Sequence, residues 1–191
     1  MADWWSESPG ERYWCEVTDR SDVGANLWCP QRDESGKPYW SYSLIHSIAP
    51  GDMVFHYSTK GRSFVGASVA GGPVETRQIV WAPHGTVGVR KKGPRAARPG
   101  WWRPLYGYVR PQLPLTLATI NKPEHQGWVR TWAASRGLSS AARLPLQLYP
   151  KNLRGAQGYL TKMPQDFLKV RDLRQACSGE PGLEKGFHRS E

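Results

Sequence analysis

Apolar residues in this chain come in short alternating runs broken by turn chemistry, a pattern that limits the fold to one built mainly of β-strands. Residues 12–18 alternate and are rich in aromatics, which predicts a strand. Residues 53–57 and 63–70 predict two more, joined as a hairpin through Ser58-Thr59-Lys60-Gly61-Arg62. Residues 102–110 alternate again and lead toward Pro114-Leu115-Thr116-Leu117, and residues 144–149 form a further candidate strand. Asp19-Arg20-Ser21-Asp22 and residues 33–38 are turn chemistry, and Asn26-Leu27-Trp28-Cys29-Pro30 reads as the end of a connection. A short helix is expected over residues 43–48, stopped by Pro50-Gly51. A longer one is expected over 123–136, with Pro123 at its start, Trp128 and Trp132 on one face and Gly137 at its end. A last helix is expected over 164–174. This order of elements predicts one mixed α+β domain and not a doubly wound α/β fold.

The chain has 191 residues, 39% of them hydrophobic, which suits a single core. Residues 12–175 are read as the domain, 1–11 as an N-terminal arm and 176–191 as a linker or tail. No apolar run approaches the roughly eighteen residues of a membrane span. The N-terminus lacks the basic and apolar regions of a signal peptide. The three cysteines are too scattered for a disulfide framework or a zinc site, so a cytoplasmic compartment is expected.

Charge is distributed unevenly. The net charge is +10, yet residues 76–165 hold fifteen Lys and Arg against a single acid, Glu124. Such a stretch attracts polyanions and speeds their encounter. The competing reading is a generally basic, soluble protein, but solubility does not require acids to be excluded from half a chain. Ten tryptophans accompany this charge. Most must pack in the core, but indole faces beside cations are also what an unstacked base needs, at ~1–3 kcal/mol per stacked base.

Catalytic signatures are missing. The five histidines stand singly, without a His-x-x-x-His or Cys-x-x-Cys spacing, so no metal or other cofactor is expected. No phosphate-cradling Gly-x-x-x-x-Gly-Lys loop or Gly-x-Ser-x-Gly turn occurs. With acids nearly excluded from residues 76–165, the carboxylate cluster of a nuclease has few candidates. Binding, not catalysis, is the expectation.

Two motifs suggest what is bound. Thr18-Asp19-Arg20-Ser21-Asp22 precedes Asn26-Leu27-Trp28-Cys29, and Gly51-Asp52-Met53-Val54-Phe55-His56-Tyr57-Ser58 precedes Phe64-Val65-Gly66-Ala67-Ser68-Val69. Together they resemble the EVE and YTH domains of the PUA-like superfamily. Tyr108-Val109-Arg110-Pro111 and the segment Gly155-Ala156-Gln157-Gly158-Tyr159-Leu160-Thr161-Lys162 extend the likeness to roughly residues 12–170.

The resemblance implies a curved mixed β-barrel flanked by a few helices, with a pocket for one flipped, modified base between aromatic walls. On matching positions Trp28 would be the first wall and Trp81 the second, with Trp101 or Trp102 closing the pocket. Asp19 or Asp22 would approach the base edge, Cys29 would act through its backbone carbonyl, and Tyr57 and Ser58 are further pocket candidates. The competing reading of Trp28 and Trp81 is ordinary core packing. Independently, the basic loop Arg90, Lys91, Lys92, Arg95, Arg98 and Arg103 is the candidate phosphate contact, with Lys60 and Arg62 at the hairpin tip behind it. The implied function is recognition of DNA carrying a 5-methylcytosine- or 6-methyladenine-like base, as the sensor of a modification-dependent restriction system whose nuclease lies on a separate domain or partner. The alternative is a YTH-like reader of methylated adenine in RNA. No membrane partner is expected.

Overall fold

A computed structural model of the chain describes residues 4–6, 8, 10–81, 96–138 and 143–169. Among these residues ten strands form: β1 (Tyr13–Val17), β2 (Asn26–Pro30), β3 (Met53–Ser58), β4 (Ser63–Ala70), β5 (Glu75–Ile79), β6 (Arg98–Val109), β7 (Leu115–Thr116), β8 (Leu146–Leu148), β9 (Leu153–Gly155) and β10 (Leu160–Lys162). Helix α1 (Trp40–Ser43) runs into a 3-10 turn at Leu44–Ser47. Helix α2 (Leu117–Ile120) is followed by α3 (Pro123–Ser135), and a 3-10 turn at Gln165–Lys169 comes last.

The main sheet runs in the order β10-β1-β3-β4-β6-β2, with β5 also on β6 and β7 also on β4. β1 and β3 pair in parallel and the other pairs are antiparallel. β6 does two jobs. Its first half, through Pro104, pairs with β2 and β5, and its second half, from Leu105, pairs with β4. One long strand serving two sets of partners curves the sheet into a half-barrel, the α+β arrangement that the motifs imply.

Both faces of this sheet are buried, which is why β3 shows no polar alternation. Cys15, Met53, Phe55, Tyr57 and Phe64 pack with Ile120, Val129 and Trp132 of α2 and α3. Trp14, Val54, Ala70, Leu27 and Leu105 pack with Leu44, Ile45 and Ile48 around the first 3-10 turn. Trp14 and Trp132 are core residues. The arm also docks: the ring of Trp4 meets Trp132 at 5.7 Å and that of Trp5 meets Trp14 at 6.2 Å, both edge-on. Among the described residues no helix is long and apolar enough to cross a membrane.

The Gly-Asp motif now has a physical reason. Gly51 has φ +83°, a left-handed conformation that Cβ-bearing residues avoid. Asp52 follows it, 4% exposed, and accepts from Arg12 Nε, the Trp14 indole and the Ala49 N–H, all at 2.9 Å. Gly66 leaves room for Tyr108, whose ring would lie 2.3 Å from a Cβ there and whose hydroxyl donates to the Val65 carbonyl at 2.9 Å.

Several expectations need correction. Residues 26–30 form strand β2, because the edge of β6 supplies a full ladder partner. β5, β9 and β10 have no counterpart among the strands that the sequence predicts. The first helix begins at Trp40, ahead of residue 43, and residues 164–174 start as a 3-10 turn, with those from 170 outside the described residues.

Candidate nucleic-acid interface

The site is built on the edge strand β2. Trp28 turns its N–H away from β6, donating to the Tyr159 hydroxyl at 3.0 Å. Asn26 turns its carbonyl the same way and receives the Arg20 guanidinium. In an antiparallel ladder such residues are the non-hydrogen-bonded ones, whose side chains lie closest to their cross-strand partner. That partner is Trp102, so Trp28 and Trp102 share one face while Cys29 and Trp101 share the other. Trp28 and Trp102 are both half-buried.

Each of these two indoles carries a guanidinium. Arg20 Cζ lies 5.2 Å from the Trp28 ring centroid, and Arg77 Cζ lies 3.4 Å from that of Trp102. Such cation–π contacts are worth ~0.5–1 kcal/mol at exposed sites and more when desolvated. Arg77 is held by Glu75 through Nε and Nη2, at 2.9 and 2.7 Å. Arg20 Nε lies 3.4 Å from Asp22, whose side chain is 53% exposed.

Behind Trp28 runs a buried polar chain. Tyr159 donates its hydroxyl proton to Glu16 Oε1 at 2.8 Å. Glu16 Oε2 meets His56 Nδ1 at 2.7 Å, and His56 Nε2 meets Ser68 Oγ at 2.9 Å. Burial, reinforced by the Glu16 charge, raises the Tyr159 phenol well above its ordinary range, so it remains a donor. Burying Glu16 without partners would be costly, and here both oxygens are occupied. The sequence Ser68–His56–Glu16 has the order of a hydrolytic relay, but Ser68 is 1% exposed. The chain therefore works as a strut that ties β2 through Tyr159 to β1, β3 and β4.

The expected walls are rearranged. Trp81 is 7% exposed and belongs to the core, where Tyr42 and Tyr159 pack against its ring. It meets Trp28 at 5.4 Å between centroids with planes at 88°, edge to face. Two indoles in that contact do not form parallel walls, so the cage expected from the motifs becomes one open face, at Trp28, over a buried Trp81. Trp101 leaves the group as well: it packs on His46 at 4.5 Å, on the opposite face of β6 from Trp102.

Other candidates are committed elsewhere. Asp19 accepts from Ser58 Oγ at 2.7 Å, from the Thr59 hydroxyl and from the Lys60 N–H at 3.1 Å. Partial burial pushes its carboxyl up, but these hydrogen bonds and the Lys60 charge outweigh that and lower it. Asp19 and Ser58 thus staple the β3–β4 turn, and Asp22 pairs with Arg20, the guanidinium on the Trp28 ring. Tyr57 is 4% exposed and packs on Phe64. The Cys29 carbonyl faces the β6 ladder by strand alternation, and burial pushes its thiol up. The carbonyl pointing to the open edge is that of Trp28 itself.

Of the cations, Arg103 is 2% exposed and donates to the carbonyls of Ile48, Ile45 and Gly71, which removes it from any phosphate contact. Arg98 opens β6, near enough to Tyr42 for its charge to act on that phenol. Lys60 and Arg62 are exposed on the hairpin tip. Arg90, Lys91, Lys92 and Arg95 lie outside the described residues. Sequence reasoning missed Arg20, Arg77 and Tyr159. Arg20 was visible inside the first polar motif, but its neighbours Asp19 and Asp22 were given the role. Among the described residues no group of three or more His, Cys, Asp or Glu could hold a metal ion.

No protein-family model matches the chain, and no curated protein matches it. Among solved structures it is similar to the N-terminal domain of Staphylothermus marinus McrB, at 14% identity and TM-score 0.45 over 83% of this chain and 92% of that one. It is similar to ASCH from Zymomonas mobilis, at 10% identity and TM-score 0.42 over 83% and 92%. A Rhodopseudomonas palustris protein solved by NMR is similar over 94% of this chain and 99% of its own, at 12% identity and TM-score 0.44.

Proposed function

We propose that this chain binds nucleic acid and reads one unstacked, modified base at Trp28, without catalytic machinery of its own. The observation that carries the reading is a half-buried indole on the outer edge of β2, with the Arg20 guanidinium on its ring and the exposed Asp22 carboxylate paired with that guanidinium. A base that stacks on Trp28 lies beside the Arg20 guanidinium, whose side chain is 6% exposed and held by the Asn26 carbonyl and by Glu16. Asp22 and the Trp28 carbonyl are acceptors suited to an exocyclic amine, and Arg20 is a donor suited to a ring nitrogen or carbonyl. Cytosine and adenine carry that pair of functions. A methyl on either adds apolar surface that indole can cover, worth ~0.8 kcal/mol. Unstacking a base costs a few kcal/mol, which stacking and edge hydrogen bonds must return.

The proposed role is the sensor of a modification-dependent restriction system, acting on DNA, with cutting by a separate domain or partner. A binding screen over one duplex carrying each common modified base, beside its unmodified form and the matching methylated RNA, tests this. Preference for one modified DNA supports it. Equal binding of modified and unmodified strands contradicts it, and preference for methylated RNA moves the reading to a YTH-like one.

A further inference from the structure

A second aromatic and cationic surface lies away from Trp28, on the hairpin of β8 and β9. Tyr149, at its tip, is 38% exposed, and the Arg154 guanidinium covers its ring at 4.4 Å. Arg130 of α3 donates to the Tyr149 carbonyl. Lys151 and Arg154 are exposed beside it, and Glu124 is the one acid between residues 76 and 165. Nothing in the core explains this arrangement, since the ring and both cations face water.

The hairpin is also tied to α3 and to the residues before it by hydrogen bonds. Asn121 holds the Leu153 backbone through both its amide groups, donating at 3.0 Å and accepting at 2.7 Å. Gln126 donates to Asn121 Oδ1 at 3.1 Å and to the Lys151 carbonyl at 3.5 Å, and it accepts from Arg130 Nε at 3.4 Å. A surface fixed in this way loses little freedom when something binds it. Its flat ring with planar and point cations matches the base and phosphate of a single strand. Tyr159, whose hydroxyl holds the Trp28 N–H, lies five positions after Arg154, so the patch anchors within about 18 Å of the Tyr159 backbone.

We infer that Tyr149, Lys151 and Arg154 form a second nucleic-acid contact, which takes a flanking unpaired nucleotide and its phosphates while Trp28 holds the read base. This rests on the nucleic-acid reading above. Tyr149 stacks one flanking base, and Lys151 and Arg154 each meet a phosphate.

The test uses the full chain and two single-stranded probes that share the read base, a trimer and a fifteen-mer, titrated across salt concentrations. Lys151→Gln with Arg154→Gln should lower the salt slope for the fifteen-mer by about 1.4, at about 0.7 per lost contact on a single strand. Tyr149→Ala should weaken the fifteen-mer by roughly tenfold, in line with one stacked base. Both variants should leave the trimer unchanged, whereas Trp28→Ala should weaken both probes. An unchanged fifteen-mer overturns the inference and spares the Trp28 reading. Equal weakening of both probes also overturns it, because the hairpin would then act through the fold. Failure of the unaltered chain to bind the fifteen-mer overturns the inference, while the Trp28 reading is decided by the duplex screen above.

Discussion

At the scale of single residues, two indoles in contact have different jobs. Trp81 is enclosed by Trp28, Tyr42 and Tyr159, whereas Trp28 keeps part of its ring in solvent. Trp81→Ala should cost ~3–5 kcal/mol of stability, the usual range for an aromatic removed from a core, read from the urea midpoint. A cost below ~1 kcal/mol would mean that Trp81 is not part of the core. Lys162 offers a pH-dependent test. It is 1% exposed, its Nζ lies 3.8 Å from the Trp14 ring centroid, and it donates to the Glu11 carbonyl. Burial pulls its amine down to about 8, with the Asp52 and Glu11 charges partly opposing. Between about pH 8 and the unfolded lysine value near 10.4, the unfolded chain therefore holds a proton that the native chain has released. Stability from this group is complete above that window and falls as pH drops toward 8. Lys162→Met should flatten that rise in denaturation experiments, and an unchanged slope would contradict the assignment.

At the scale of elements, strands with clear alternation could be read directly, and those defined by partners could not. β1, β4 and α3 follow their own periodicity, and β3 reads from a continuous apolar run between Gly51-Asp52 and the turn at 58–62. β2 ends in proline and follows a turn, so its five residues become a strand only because β6 is long enough to pair with them. β10 is three residues and depends on β1 in the same way. The same physics limited the site. Trp28 was legible as a tryptophan after a polar motif, but which of Trp101 and Trp102 shares its face depends on the β2–β6 register. The turn role of Asp19 was not legible because its partners Ser58, Thr59 and Lys60 lie about forty residues away. Asp19→Ala should therefore cost about 1–3 kcal/mol by leaving the β3–β4 turn without its acceptor. It should leave oligonucleotide affinity unchanged in anisotropy titrations, and a selective loss of affinity would return Asp19 to the site.

At the scale of the whole molecule, the polar strut and the curved sheet serve one end, a Trp28 edge held still by Tyr159, Glu16, His56 and Ser68. In the proposed reading the cation-rich stretch would supply attraction to a polyanion without sequence information, and Trp28 would supply discrimination. The two contributions separate in one experiment, equilibrium binding of Trp28→Ala and the unaltered chain to one strand with and without its modified base. The account predicts that the variant loses ~1–3 kcal/mol for the modified strand and keeps the weak, salt-dependent binding to the unmodified one. Equal losses on both strands, or no loss on either, would contradict it.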